Sequence, residues 1–151
     1  MSKKLLVFVA VLSLMLSTVG MSIAQDTKSH PVNNKVKSIV ESTKKAVKNV
    51  TLADVKKSID SKEKAIYLDV RDESEFAAGH IPGAKNISRG TLEFKVAKEI
   101  PDTNTKIYVY CKTIGRSALA TKTLNDLGYK NAILMRAQYA DWVKAGYPVE
   151  R

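Results

Sequence analysis

The chain has 151 residues, 44% of them hydrophobic, which suits one globular domain with appendages. Its 25 Lys and Arg outnumber 15 Asp and Glu, for a formal charge of +10, yet 7% aromatic content, with no Arg-rich run and no zinc spacing, gives nucleic acid no support. A single cysteine, Cys111, excludes an internal disulfide and any metal site built from cysteines.

The amino terminus has the pattern of a secretory signal. Lys3 and Lys4 precede an almost wholly apolar run from Leu5 to Val19, and Ser22-Ile23-Ala24 supplies small residues for a peptidase. The run is shorter than the ~20 residues a spanning helix prefers, so cleavage after Ala24 is expected over retention as an anchor. With no cysteine near that site, lipoprotein anchoring is excluded. The expectation is a signal peptide over residues 1–24 and a mature protein that is periplasmic or secreted from a bacterium. Membrane contact is not expected beyond an uncleaved signal.

Residues 25–50 form a basic leader with an amphipathic helix. Val36, Ile39, Val40, Thr43 and Val47 share one face at helical spacing. The simplest role for that face is packing on the following domain. The alternative is a protein partner, and the lack of a Trp or Phe anchor argues against a membrane.

From residue 51 to 151, strand and helix signals alternate. Thr51 caps a helix to Ile59, with Asp54 answering it. Ala65 to Val70 is a strand, and Asp72 with Glu75 opens a short helix stopped by Gly79. After a turn over residues 81–84, Asn86 to Ser88 is a short strand and Thr91 to Ile100 a helix closed by Pro101. Ile107 to Tyr110 is a strand, and Ser117 to Leu127 a helix burying Ala120, Leu124 and Leu127. Asn131 to Met135 and Gln138 to Ala145 complete the pattern, which predicts an α/β fold with a parallel sheet. Cys111 directly follows a strand, where open parallel sheets place their sites.

The segment Cys111-Lys112-Thr113-Ile114-Gly115-Arg116-Ser117 joins that strand to a helix start. Backbone N–H groups turned inward there, with Lys112 and Arg116 nearby, favour a thiolate over a thiol and hold an anion. Against this stands the commoner fate of a lone cysteine after a strand, a small buried hydrophobe.

Three further motifs carry a resemblance. They are Leu68-Asp69-Val70-Arg71-Asp72 with Glu75-Phe76, Gly79-His80-Ile81-Pro82-Gly83-Ala84, and Trp142 with Ala145-Gly146-Tyr147-Pro148-Val149. With the Cys111 loop between them, the segment resembles the single-domain rhodanese family. Ser88-Arg89-Gly90-Thr91-Leu92-Glu93-Phe94 is also similar to its small members. The resemblance implies a three-layer fold, a central parallel sheet flanked by helices. It implies transfer of sulfane sulfur from a small anionic donor, thiosulfate or a persulfide, through a Cys111 persulfide to a thiol or cyanide acceptor. Residues 112–117 would be the substrate-binding loop, with Arg116 on the sulfonate. Asp69, Arg71 and Arg89 would lie around the pocket, and no metal or organic cofactor is implied. The alternative is a low-activity module that carries a persulfide or binds a protein. Cys111 to Arg116 spans six residues, matching the sulfur-handling loop, whereas related phosphatases have one residue more. Ile114 replaces a glycine common in family loops, and Ala137 and Gln138 replace a common Gly-Gly, so both changes are expected to shape the pocket.

Overall fold

The computed structural model describes residues 31–151, so the signal peptide expected over residues 1–24 and the first leader residues lie outside the described residues. The elements are α1 (Pro31–Ala46), β1 (Asn49–Val50), α2 (Leu52–Asp60), β2 (Ile66–Asp69), α3 (Glu73–Ala77) and β3 (Lys85–Asn86). A 3-10 turn (Arg89–Thr91), α4 (Leu92–Glu99), β4 (Ile107–Tyr110), α5 (Gly115–Asp126), β5 (Ala132–Met135) and α6 (Tyr139–Lys144) follow. The strands form one parallel sheet in the order β1-β5-β4-β2-β3.

Alternation along the strands divides the core between the two faces of the sheet. Leu68, Ile107 and Val109 point to one side, where Leu92 and Val96 of α4 and Ala120 and Leu124 of α5 meet them. Tyr67, Tyr108 and Tyr110 point to the other, against Val55 of α2 and Trp142 of α6. Trp142 is fully buried, and its indole N–H donates to Pro148 O at 2.7 Å. The result is the three-layer α/β arrangement.

Helix starts follow local chemistry. Thr51 Oγ1 accepts the Asp54 N–H while Thr51 N–H donates to the Asp54 carboxylate, closing a capping box on α2. Elsewhere the boundaries differ from expectation. The strand expected at Asn86 to Ser88 is Lys85–Asn86, and Ile87 just beyond it is core. Helix α5 begins two residues before Ser117 and ends at Asp126. Leu127, expected on its buried side, is the residue that leaves the helix and is 47% exposed.

The direction of chain crossing changes between β2 and β4. From β2 the chain continues outward to β3, and from β4 it continues the opposite way to β5. The carboxyl ends of this strand pair are therefore a topological switch point, where open α/β sheets form their crevices. Cys111 follows β4 there, and Arg71 follows β2.

Only the carboxyl half of the α1 stripe is covered. Thr43 and Val47 are buried, whereas Val36 and Ile39 stay exposed. Val47 joins Ala118 of α5 and Leu134 of β5 in a small third cluster. Val36→Asp should therefore change stability by less than about 0.5 kcal/mol, as an open surface site does. Val47→Asp, which buries an unpaired charge, should cost about 3 kcal/mol or more. Urea unfolding of both variants checks this, and equal losses would mean that the two ends of the stripe are buried alike.

Candidate active site

The Cys111 side chain is fully buried at the amino end of α5. Its sulfur accepts the Ser117 N–H at 3.2 Å. As a thiol it donates to Ser117 Oγ at 3.3 Å, and that hydroxyl donates on to Ile114 O at 2.9 Å. Among the described residues, the amides from Lys112 to Arg116 donate to no protein acceptor. Those of Gly115 and Arg116 are first-turn groups that have no partner within a helix. Free N–H groups at the positive end of a 12-residue helix favour an anion placed beside them.

Ile114 makes this turn possible at a cost. It holds φ 74° and ψ −30°, a backbone region that branched side chains avoid. Such strain costs about 1–3 kcal/mol and persists only where packing over-determines it. Here the side chain packs against the cluster of Val47, Ala118 and Leu134. Helix α1 also crosses this point, since a Cβ on Gly115 would lie 3.8 Å from Val40 Cγ1. The glycine that the family resemblance led one to expect is thus replaced by a residue anchored from outside the loop.

The second wall comes from β2. Asp69 is wholly buried, and both its oxygens accept hydrogen bonds from Arg71. Arg71 Nη2 also donates to Gly79 O at 2.7 Å, and its guanidinium lies 3.9 Å from the centre of the Tyr139 ring. Desolvation alone would weaken the Arg71 charge, but Asp69 outweighs it and keeps the guanidinium above its ordinary value. Tyr139 in turn donates its backbone N–H to Cys111 O at 3.2 Å. Burial, followed by the nearby Asp69 charge, pushes the Tyr110 hydroxyl well above the usual tyrosine range. That hydroxyl stays neutral and accepts the Ile81 N–H at 3.2 Å.

Beside the loop lies a cleft of about 530 Å³ whose walls include Arg71, Glu75, Lys112, Tyr139, Val143 and Lys144. Lys112 reaches solvent at its rim, and Glu75 Oε1 stands 3.8 Å from its Nζ. Arg116 lies close enough to feel the Cys111 charge, but its direct partners are carboxylates. It pairs with Glu75 at 2.7 Å and Asp72 at 3.2 Å. Desolvation works against its charge, but the Glu75 hydrogen bond holds it above its ordinary value. Burial on its own would raise Glu75. The Arg116 hydrogen bond, the Asp72 N–H and the charges of Arg116 and Lys112 together hold it below the usual carboxylate range.

Of the residues expected around the pocket, Arg89 is turned elsewhere. It pairs with Glu93 at 2.8 Å and donates to Thr123 Oγ1. Thr113 is exposed. His80 braces the turn after α3, with Nδ1 3.0 Å from Phe76 O and its ring stacked on Phe76. Ala137 is buried, and Gln138 caps α6. Glu75 and Tyr139 line the cleft by geometry, although the sequence marked the first only as a cap and a motif residue and the second not at all.

The site is thus a single buried cysteine just past the end of a central parallel strand, beside the amino terminus of the next helix. A match to the Rhodanese-like domain covers residues 51–145, and the chain belongs to that family. It is 34% identical over 97 residues to the putative sulfur carrier protein YrkF of Bacillus subtilis, covering 64% of this chain but only 51% of YrkF. It is 30% identical over 121 residues to a thiosulfate:glutathione sulfurtransferase of Saccharomyces cerevisiae, covering 70% of this chain and 87% of that one. A solved Rhodopseudomonas palustris protein of unknown function, a possible tyrosine phosphatase, superposes with a TM-score of 0.70 at 29% identity, covering 76% of this chain and 93% of that one. Both of these curated relatives are named for sulfur carriage or sulfur transfer, and the chain spans about half the length of the first.

The strain at Ile114 predicts an inverted order of substitutions. Ile114→Gly removes more side chain than Ile114→Ala but relieves the positive φ, so it should be more stable by about 1 kcal/mol. Thermal melts of the two variants decide this. Alanine equal to or above glycine would mean that position 114 is not held at positive φ in solution.

Proposed function

We propose that the protein is an exported sulfurtransferase that moves sulfane sulfur through a persulfide on Cys111. The observation that carries this reading is the Ser117 N–H on the Cys111 sulfur, at 3.2 Å, in a loop whose other amides no group among the described residues uses. The Cys111 thiolate attacks the outer sulfur of thiosulfate, the S–S bond breaks, and sulfite leaves with the electron pair. The acceptor, a thiol or cyanide, then attacks the terminal persulfide sulfur, and Cys111 leaves as thiolate. The loop amides and the α5 terminus stabilise the negative sulfur at each stage. The six-residue loop supports sulfur over phosphate as the group held.

The complete burial of Cys111 favours a second reading, a persulfide carrier or binding module with little turnover. One experiment separates the two. Intact-mass spectrometry of the protein mixed with thiosulfate should show a gain of one sulfur, about 32 Da, lost again on adding cyanide and absent in Cys111→Ser. A sulfur gained but discharged only slowly would identify a carrier. No gain from thiosulfate or from any persulfide donor would sink both persulfide roles and leave binding.

Export rests on the Lys3-Lys4 start, the apolar run and the small residues before Gln25. Protein recovered from the periplasm of a Gram-negative host should begin at Gln25 on amino-terminal sequencing. Recovery of the intact Met1 form in the cytoplasm alone would overturn the localisation.

A further inference from the structure

We infer that Glu75 sets the charge of the sulfur donor this site accepts, favouring donors of lower negative charge over the dianion thiosulfate. The inference rests on the sulfurtransferase reading and deepens it. Both cations of the Cys111 loop already face a carboxylate. Glu75 holds Arg116 at 2.7 Å and stands 3.8 Å from Lys112. It also lines the cleft beside the loop, so its charge stands at the approach to the thiol. Asp72 is the weaker contributor. Of the two loop cations it pairs with Arg116 alone, at 3.2 Å, and its side chain is 67% exposed against 24% for Glu75. Exposed charges are screened by solvent and salt more than half-buried ones.

An incoming anion meets two consequences of this arrangement. It must draw Arg116 and Lys112 away from Glu75, and it must approach a fixed negative charge. Both costs grow with the charge of the donor. The backbone amides of the loop impose no such cost, because no side chain among the described residues competes for them. The site is therefore suited to a sulfane sulfur bearing one negative charge.

Thiosulfate and methanethiosulfonate form a matched pair of donors. They differ by replacement of one oxyanion with a methyl group. In both, the Cys111 thiolate attacks the outer sulfur and the S–S bond breaks. The electron pair leaves with sulfite from the first donor and with methanesulfinate from the second. Glu75→Gln keeps the shape of the side chain and its hydrogen-bonding oxygen but removes the charge.

The test measures Cys111 loading by both donors in wild type, Glu75→Gln and Glu75→Asp, at low and high salt. Relative to methanethiosulfonate, Glu75→Gln should improve kcat/KM for thiosulfate about threefold at low salt, mainly through KM, with the gain shrinking at high salt. Glu75→Asp, which retains the charge, should keep the wild-type donor ratio even if it is less stable. A Glu75→Gln effect equal for both donors would show a structural role only and overturn the inference. So would an unchanged ratio. A wild-type protein loaded by neither donor would overturn the sulfurtransferase reading and this inference with it.

Discussion

A fully buried carboxylate keeps its charge only if that charge is matched, and the end of β2 is organised around this demand. Asp69 has no exposed surface, and Arg71 covers both its oxygens. Once placed there, the guanidinium fixes its other neighbours. It ties down Gly79 O at the turn after α3 and lies flat against Tyr139 at the start of α6. Tyr139 N–H then holds Cys111 O. The pair thus links β2, the α3 turn, α6 and the residue after β4. Its cost in desolvation is repaid in position, because a substitution of either partner would leave one buried charge unmatched.

The thiol is placed by topology and then refined by the loop. Parallel strands leave their carboxyl ends free of crossover helices where the direction of crossing reverses, and β2 and β4 supply that point. Six residues must then turn from Cys111 into α5. Ile114 achieves this with a positive φ, and its side chain is held by Val47 and Leu134. The leader helix α1, which lies outside the matched residues 51–145, is therefore part of what sustains the loop geometry.

The regular elements were legible because each obeys one period. Ile107 to Tyr110 alternates faces, and Ala120 and Leu124 repeat at helical spacing. The two-residue strand β1 carries no period of its own and exists through its pairing with β5. Leu127 fitted the helical stripe but sits where the helix ends, so periodicity overshot by one residue. In the site, Cys111 and its loop stood out through residue type and position. The roles of the cations did not. Whether Arg116 faces a ligand or a carboxylate depends on where α3 packs, and Asp72 and Glu75 lie more than 40 positions from it in the chain. Arg89 was likewise read by proximity to a motif; its partner Glu93 lies only four residues on, but Thr123 comes from the distant helix α5. Pairings between distant elements leave no local pattern in a sequence.

These pairings change what makes the site attractive to anions. The chain carries a formal charge of +10, and its cysteine loop contains both a lysine and an arginine. Side-chain charge is nonetheless largely neutralised at the loop by Glu75 and Asp72. What remains uncompensated is the field of the backbone, the free amides and the α5 terminus. That field is fixed by the fold and too local to be satisfied by the carboxylates at the rim. It is matched to a single negative sulfur, the charge borne by both the thiolate and the persulfide in the proposed cycle. In the proposed cycle a leaving sulfite, carrying two charges, would find the same rim unfavourable, so electrostatics that would restrain thiosulfate entry would also favour product release.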